Sequence, residues 1–290
     1  MNLSYSHHKI YKADSCPFSE AEYSWFKFGD TQYAEKFAIE LFEGFIAVHG
    51  DLILSKSDIV ILPSPYFSIP TASNFLCAYF KKALNQFLFE NDKKACTESK
   101  IHRNQTYTQD YGSMSFEERI QLISKDTYYL DKNFIEGKYC IFLDDIKITG
   151  SHELVVQNTL QHSNFKDDHI FVYFAELCNK SIHPNIENHF NYFSVKGVFE
   201  IIDTIKRDTF RFNTRIVKYI LKMDEYELSI VIDKISDSIL IKLLHLAISN
   251  NYHQIPEYQK NINILNQKPW QLIFKKDNEK PSMLQNSLLA

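Results

Sequence analysis

The sequence predicts an α/β fold built on a parallel sheet flanked by helices. Three apolar runs are typical of strands buried on both faces: residues 58–62, 139–143 and 170–174. Helical patterns of apolar residues lie between or beside them: residues 33–48, 71–87 and 151–161. Strands that alternate with helices favour right-handed crossovers, so the loops that follow the strands share one edge of the sheet. In such folds that edge is where ligands bind.

Each of these elements has a local reason. Phe37, Leu41 and Phe45 repeat at helical spacing in the first helix. Prolines follow the strand at residues 58–62 and prevent its continuation. Thr71 or Ser73 can cap the next helix. Thus local signals set the start or end of most predicted elements.

From about residue 198 the sequence no longer alternates strand and helix patterns. Successive helices are predicted there: residues 203–210, 213–223, 225–235 and 237–249. The predicted organisation is an α/β domain at 1–197, a helical appendage at 198–275 and a flexible tail at 276–290. The appendage is interpreted as completing the core or forming an oligomer interface, with a hood over the substrate as the alternative. Arg207, Arg211 and Arg215 are interpreted as a solvated helix face.

Composition excludes several classes of function. A formal net charge of −4, a pI near 6.3 and scattered Lys and Arg argue against nucleic-acid binding or attraction to an anionic membrane. Apolar runs are too short for a membrane span, and the N-terminus lacks the apolar core of a signal peptide. Five widely spaced cysteines are expected to be free thiols in the cytoplasm.

The most informative segment runs from Gly137 to Glu153. An apolar strand is followed by Asp144 and Asp145, then by Thr149, Gly150 and Ser151 at the start of a helix. Unpaired N–H groups at a helix N-terminus bind anions, and a glycine lets the backbone approach a ligand closely. Both carboxylates are expected to face the same crevice, where they could accept hydrogen bonds from ribose hydroxyls. The competing interpretation is an ordinary strand–turn–helix with a solvated acidic turn.

At these residues the chain resembles the type I phosphoribosyltransferases, and a bacterial ComF-like subgroup of them most closely. The acid pair Asp144-Asp145 and the Thr149-Gly150 pair match that family's loop for the 5-phosphate of phosphoribosyl pyrophosphate (PRPP). Lys147 and Ile148 depart from the usual spacer. His152 replaces a hydroxyl residue that normally bonds the phosphate, and it could bind phosphate in that residue's place when protonated.

A second segment, residues 63–73, resembles the pyrophosphate loop of orotate phosphoribosyltransferases. Tyr66, Ile69, Pro70 and Ala72 match it, but Phe67 and Ser68 replace its Lys-Gly pair, so the usual cation is missing. Without the resemblance, a proline-rich loop before a helix would explain the segment.

A third, tyrosine-rich segment follows at about residues 100–119, where the family has a mobile catalytic loop. Arg103 and Tyr107 are expected to close over the substrate, with simple packing as the alternative. Near the N-terminus, residues 23–30 also resemble the ComF-like subgroup.

The resemblance implies transfer of ribose 5-phosphate from PRPP to a base-like acceptor, with release of pyrophosphate. Asp144 and Asp145 would hold the ribose hydroxyls and stabilise the ribosyl cation, while Arg103 and Tyr107 form the lid. PRPP would also contact two loops, whose residues are Ile148, Thr149, Gly150, Ser151 and His152 in one and Pro65, Tyr66, Phe67 and Ser68 in the other. Mg²⁺ would bind mainly through PRPP. Members of the family are often dimers, so a homodimer is compatible with the resemblance, and the oligomeric state stays open.

Two alternatives to transfer stay open from the sequence. One is a non-catalytic module that senses PRPP or a nucleotide. The other is a different ribosyl phosphate chemistry, such as a phosphorylase or a hydrolase. No metal ligands are predicted: His7 and His8 are interpreted as chance histidines at a floppy terminus without a carboxylate partner. Asp167 and Asp168 are expected in a solvated turn at the opposite edge of the sheet.

Overall fold

The computed structural model describes residues 2–103, 114–115, 117–118 and 128–278. By its internal contacts the chain divides into two compact units, Met1–Ile216 and Val217–Ala290. Each unit is described by itself below.

A parallel sheet organises the first unit, as the sequence predicts. Its strands, in chain order, are β1 (Asn2–Ile10), β2 (Ile59–Pro63), β3 (Thr97–Glu98), β6 (Tyr139–Lys147) and β7 (His169–Leu177). Their order across the sheet is β1-β7-β6-β2-β3, and every pairing is parallel. A separate antiparallel pair is formed by β4 (Ile101–Arg103) and β5 (Tyr128–Leu130). All five strands of the main sheet therefore end at the same edge.

Helices cover both faces of this sheet. The helices of the first unit are α1 (Glu20–Lys27), α2 (Thr31–Leu54), α3 (Ala72–Glu90), α4 (Lys132–Ile135), α5 (Ser151–His162), α6 (Ile186–Asn191) and α7 (Val198–Ile205). A further helix, α8 (Thr214–Lys222), runs across the boundary between the units. Side chains of α1, α2 and α3 pack on one face of the sheet, and those of α5 and the β4–β5 pair pack on the other.

The central strand β6 alternates between two apolar cores. Ile141 and Leu143 belong to the core that contains α1, α2 and α3, whereas Cys140 and Phe142 belong to the core beneath α5. Successive side chains of a strand point to opposite faces, so this alternation continues as far as the strand does. β6 extends to Lys147 instead of ending at residue 143 as predicted.

The N-terminus is an ordered edge strand, so the prediction of a floppy terminus is wrong. β1 pairs with β7 along its whole length, from Asn2 opposite His169 to Ile10 opposite Leu177. Its sequence is polar and contains two histidines, and it therefore lacks the apolar run that predicts β2, β6 and β7. The strand conformation of β1 is stabilised by backbone hydrogen bonds to the buried strand β7, which the pattern of its own side chains does not predict.

The first unit extends past residue 198 because the buried carboxylate of Asp30 anchors the following segment. Asp30 is fully buried, and its carboxylate accepts hydrogen bonds from Arg207 (2.6 Å) and from the Thr209 hydroxyl (2.7 Å). The Arg207 guanidinium also lies 4.1 Å from the centre of the Trp25 ring. Gly29, at φ +98°, leaves room for the Arg211 carbonyl oxygen, which would lie 2.2 Å from an added Cβ.

The three arginines do not form the solvated helix face that their spacing predicts. Arg207 follows the end of α7, Arg211 lies between helices, and Arg215 belongs to α8. Arg211 donates to the carbonyl oxygens of Asp208 and Phe210, at 3.1 and 2.6 Å. The chain turns between α7 and α8, and this separates the arginines.

The second unit is helical. Besides the end of α8, it contains α9 (Glu225–Lys234), α10 (Asp237–Ser249), a 3₁₀ turn (Tyr252–Gln254) and α11 (Pro256–Asn278). The predicted apolar face of α10 is confirmed, because these residues are buried: Leu240, Leu243, Leu244 and Ala247. The buried Asn261 amide donates to the carbonyl oxygens of Leu221 and Met223, at 3.1 and 2.7 Å, and so satisfies acceptors at the end of α8.

The five cysteines are free thiols, and burial raises the pKa of Cys140 to about 12. No helix within the described part of the chain has both the length and the apolar character needed to cross a membrane.

Replacing Asp30 with alanine is expected to destabilise the first unit strongly. The substitution removes the buried carboxylate that accepts from the partly exposed Arg207 guanidinium and from the Thr209 hydroxyl, and a hydrogen bond to a charged group contributes about 1.5–3 kcal/mol. Urea denaturation followed by tryptophan fluorescence measures this loss. The matched control is Lys36→Ala, which breaks an exposed pair with Glu22 (2.6 Å) and should cost less than about 1 kcal/mol. Equal effects of the two substitutions would contradict the anchoring role of Asp30.

Candidate functional site

The loop from residue 148 to residue 152 joins the end of β6 to the start of α5. Gly150 is the N-cap residue and has a left-handed backbone, with φ +77°. An L side chain is strained in that conformation, which explains the glycine. The Thr149 and Ser151 hydroxyl oxygens lie 2.8 Å apart, and the Ser151 N–H donates to Thr149 Oγ1 (3.3 Å). Ile148 is buried in the core and fixes the loop from below. The result is a helix N-terminus edged by hydroxyl groups, which is suited to an anion.

Asp144 lies beside this loop and lines a pocket. Its Oδ1 accepts hydrogen bonds from the Ser64 hydroxyl (2.5 Å) and the Asp145 N–H (2.9 Å), and its Oδ2 lies 3.0 Å from His152 Nδ1. Burial by itself would raise the pKa of Asp144. However, the hydrogen bond and charge of His152, together with the Ser64 hydroxyl, hold that pKa well below its ordinary value. Asp144 is therefore an anion at neutral pH.

The pocket around Asp144 combines an apolar floor with a few polar groups. Its walls come from β2, β6, β7, α5 and the β4 strand: Leu62, Pro63, Ser64, Ile101, Phe142, Leu143, Asp144, His152, Val156, Phe171 and Tyr173. It opens at the carboxyl edge of the sheet, where the sequence predicts the ligand.

Asp145 does not reach this pocket. Its Oδ2 accepts a hydrogen bond from the Tyr23 hydroxyl (2.6 Å) and forms a buried ion pair with Lys27, both from α1 on the opposite face of the sheet. Burial raises the pKa of Asp145, and the Lys27 ammonium counteracts that rise. The expectation that both carboxylates face one crevice is therefore wrong. The reason is that β6 continues through the acid pair, so the two side chains alternate.

The His152 side chain contacts the Asp144 carboxylate. Besides the contact between His152 Nδ1 and Asp144, its ring meets the Tyr128 ring edge-to-face, with centroids 6.3 Å apart. Both neighbours orient the imidazole across the mouth of the pocket. A phosphate contact by His152 stays a prediction.

Lys147, which departs from the family's usual spacer, has a structural partner network. Its ammonium pairs with Glu153 (2.7 Å) and Glu176 (3.6 Å), and Glu153 also accepts from the Tyr173 hydroxyl (2.8 Å). Burial opposes the charge of Lys147, but the two carboxylates outweigh burial and raise its pKa. This network connects the end of β6 with the first turn of α5 and with β7.

The loop after β2, residues 64–71, is held from both ends. Asn74 donates from its amide to the Ser64 carbonyl oxygen (3.2 Å) and accepts from the Thr71 N–H (2.6 Å). Thr214 donates from its N–H and its hydroxyl to the Pro70 carbonyl oxygen, at 2.8 and 3.0 Å. Within the loop, Pro65 is buried and Ser68 is exposed, with partly buried side chains at 66 and 67 between them.

Lys100 brings a cation to this loop, which the sequence analysis did not anticipate. Its ammonium donates to the Phe67 carbonyl oxygen (2.7 Å) and lies 3.7 Å from the centre of the Tyr66 ring. Burial lowers the pKa of Lys100. The contact depends on a bridge between Tyr66 and His102, which no local pattern reveals. The only signal in the sequence was a lysine at the start of the predicted lid segment.

The predicted lid is described only at its base. Arg103 ends β4 and pairs in register with Tyr128 of β5. Tyr107 lies outside the described residues. The closing role of both residues stays a prediction.

A comparison with protein families agrees with this geometry. The model of a family described as PRTase ComF-like matches residues 1–265. The chain belongs to the ComF-like phosphoribosyltransferase family. The predicted resemblance to the type I phosphoribosyltransferases, and to their ComF-like subgroup, is thereby confirmed at the level of the family.

Other comparisons add little to the ComF-like assignment. Among curated proteins, none is significantly similar to the chain. Two crystal forms of a hypoxanthine phosphoribosyltransferase from Staphylococcus aureus are similar over part of their length. The tetragonal form has 12% identity and a TM-score of 0.29, with 49% of this chain and 64% of that chain covered. The orthorhombic form has 9% identity and a TM-score of 0.29, with 58% and 80% covered. The family assignment does not depend on these partial overlaps.

In this ComF-like chain the segment at residues 23–30 builds the support of the site. Tyr23 and Lys27 hold Asp145, Asp30 holds Arg207, and the Lys27 carbonyl oxygen accepts from the Asn213 amide (3.0 Å). The resemblance of this segment to the subgroup therefore coincides with a packing role.

Asp145→Asn is expected to destabilise the fold, because it leaves the Lys27 ammonium buried beside a neutral amide. The loss should be about 3–5 kcal/mol in urea denaturation. A double substitution, Lys27→Met with Asp145→Leu, should recover much of it because no buried charge remains. A single Asp145→Asn variant as stable as the wild type would refute the supporting role of this pair.

Proposed function

We propose that this protein binds PRPP with Mg²⁺ at the carboxyl edge of its sheet and transfers the phosphoribosyl group to a base-like acceptor, releasing pyrophosphate. The observation that carries the proposal is the placement of the Asp144 carboxylate beside the hydroxyl-edged loop at the N-terminus of α5. The proposal gives each part of PRPP a neighbour of matching chemistry.

The 5-phosphate is assigned to the loop at residues 148–152. Backbone N–H groups at the start of α5 and the Thr149 and Ser151 hydroxyls offer donors to its oxygens. The ribose hydroxyls are assigned to Asp144, whose carboxylate also favours the positive charge that develops on the ribosyl group. Of the two acids, only Asp144 is given a direct role here, because Asp145 lies on the other face.

Pyrophosphate is assigned to the loop at residues 65–68 and to Lys100. The ammonium of Lys100 stands beside the Phe67 carbonyl oxygen, and so it can supply the cation that the Phe67-Ser68 pair lacks. Arg103 and Tyr107 are assigned to closure over the leaving group, which would exclude water during transfer.

The donor set fits magnesium that is carried by the substrate. Near the pocket, Asp144 and Ser64 offer a carboxylate and a hydroxyl, and such oxygen donors suit a Mg²⁺ ion that keeps most of its ligands from phosphates and water. When bound, the ion would neutralise charge on the departing pyrophosphate.

A second candidate is a non-catalytic module that senses PRPP, and two observations favour it. Both oxygens of Asp144 are already engaged by Ser64, His152 and the Asp145 N–H, so a ribose must exchange with partners from the chain. The cation near the pyrophosphate loop comes from Lys100, outside the loop that normally supplies it. A sensor would bind PRPP and release no pyrophosphate with any acceptor.

Binding of PRPP in the presence of Mg²⁺ should depend on Asp144. Asp144→Asn removes a charged hydrogen-bond acceptor, which is worth about 1.5–3 kcal/mol, or roughly a ten- to hundredfold rise in Kd. Isothermal titration calorimetry measures this change. The control is Asp168→Asn at the opposite edge, where the carboxylate pairs with Lys56 (3.1 Å). If wild type and Asp144→Asn bind PRPP equally, the assignment of the ribose to Asp144 fails.

A pyrophosphate-release assay on the same preparation distinguishes a transferase from a sensor. Wild type is incubated with PRPP, Mg²⁺ and a panel of purine, pyrimidine and other nitrogenous acceptors. Transfer is supported if wild type releases pyrophosphate with at least one acceptor and Asp144→Asn lowers that release by orders of magnitude. Binding without release across the panel supports the sensor.

Lys100→Met should weaken PRPP binding by about tenfold, because a charge-assisted contact to pyrophosphate is lost while the stem of the side chain is kept. Its effect should shrink when ribose 5-phosphate replaces PRPP, since that ligand lacks pyrophosphate. Lys94→Met is the matched control, because Lys94 is an exposed lysine paired with Asp58 (3.3 Å). An equal loss of affinity for both ligands would contradict the assignment of Lys100 to pyrophosphate.

The base-like acceptor, the homodimer and the cytoplasmic location stay predictions. The hood role of the C-terminal helices is also a prediction.

A further inference from the structure

Two histidines and a glutamate converge at the edge of the sheet, away from the proposed PRPP contacts. His7 and His8 belong to β1, and Glu40 belongs to α2. Their nearest ligand atoms, the Nε2 atoms of His7 and His8 and Oε1 of Glu40, all lie within 4.8 Å of one another. We propose that His7, His8 and Glu40 bind a divalent transition-metal ion of the zinc class.

The spacing of the three atoms suits such an ion. His7 Nε2 lies 3.4 Å and His8 Nε2 lies 2.8 Å from Glu40 Oε1. Ligand bonds of about 2.0–2.1 Å in a tetrahedral site place neighbouring ligand atoms about 3.3–3.5 Å apart. The His7 distance already matches, whereas the His8 distance must lengthen by about 0.5–0.7 Å. The ligand atoms of the two histidines lie within 4.8 Å of each other. Imidazole and carboxylate are ligands that zinc-class ions accept, whereas magnesium prefers oxygen alone.

His8 provides an independent observation. Its Nε2 atom is buried and, among the described residues, has no hydrogen-bond partner of acceptable geometry, although the Glu40 carboxylate is close. The Glu40 carboxylate is thus near this nitrogen without hydrogen-bond geometry, and a cation between the two groups would coordinate both. The rings of Phe174 and Phe18 flank the imidazole, with centroids at 4.8 and 5.7 Å, and provide the apolar surroundings that metal sites commonly have.

Neighbouring residues orient the ligands. The Tyr5 hydroxyl lies 3.2 Å from His7 Nδ1, and so the opposite nitrogen, Nε2, is directed towards Glu40. Gly44, one turn after Glu40 on α2, makes room for this arrangement: an added Cβ would lie 2.2 Å from His7 Nδ1 and 2.5 Å from Tyr5 Oη. A supporting shell of this kind is what a metal site needs to hold its ligands in place.

The bound ion would fasten the edge strand β1 to helix α2. The three side chains remain 22%, 14% and 38% exposed for His7, His8 and Glu40, so solvent can reach the ion and water can complete its coordination. The role is structural, because the ion binds the folded chain and joins two elements far apart in sequence.

The test is cobalt binding to the tag-free, full-length protein after removal of metal with a chelator. One equivalent of Co²⁺ should produce visible d–d absorption, and Zn²⁺ should abolish it while Mg²⁺ has no effect. Saturating Zn²⁺ should raise the Tm by a few degrees. Neither readout involves PRPP, so its outcome is independent of the proposed transferase.

Glu40→Gln and His7→Gln should remove the cobalt absorption and the Zn²⁺-dependent rise in Tm, with the folded state confirmed by circular dichroism. His189→Ala is the matched control, because it breaks a surface histidine–glutamate pair with Glu20 (3.0 Å) and should preserve both signals. Absence of cobalt absorption in the wild type, or absorption that persists unchanged in Glu40→Gln and His7→Gln, would overturn the proposal.

Discussion

The ion pair between Asp145 and Lys27 ties the first helix to the central strand of the sheet. Each of these groups would cost several kcal/mol to bury by itself, so neither can stay in the core without the other and the Tyr23 hydroxyl. The pair therefore fixes α1 against the end of β6. The loop at residues 148–152 begins directly after that end, and Asp144 precedes Asp145 on the opposite face. The position of the whole candidate site thus depends on a contact made beneath it.

The two faces of the sheet differ: one holds the larger core and the buried charges, and the other holds the candidate pocket. The face beneath α1, α2 and α3 holds the larger apolar core and the buried charges of Asp145 and Asp30. The other face has a smaller core under α5 and the β4–β5 pair, and its pocket opens where the strands end. A ligand at Asp144 would exchange one set of hydrogen bonds for another instead of desolvating a bare charge. The hydrogen bonds that Asp144 already accepts keep it ionised before a ligand arrives, which is a form of preorganisation.

Much of the fold could be predicted because its signals are local. The strands at residues 59–63, 139–147 and 169–177 contain apolar runs, and the loop before α5 combines Gly150 with hydroxyl residues. By contrast, β1 is polar, and its strand conformation comes from pairing with β7. Lys100 reaches the loop at residues 64–71 through a bridge between segments, and His8 meets Glu40 only because β1 and α2 are adjacent in space. Such contacts leave no periodic signal in a single sequence.

The sequence alone determined the class of fold and the order of its central elements, since periodicity and turn chemistry are properties of neighbouring residues. It also predicts an anion as the ligand of the loop at residues 148–152. Only the tertiary structure decided which acid faces the pocket. The separation of Asp144 from Asp145 depends on whether β6 ends before them or continues through them. That choice is made by pairing with β7 and by the Lys27 ammonium 118 residues away. Long-range pairing and burial, not local propensity, therefore set the roles of two adjacent identical residues.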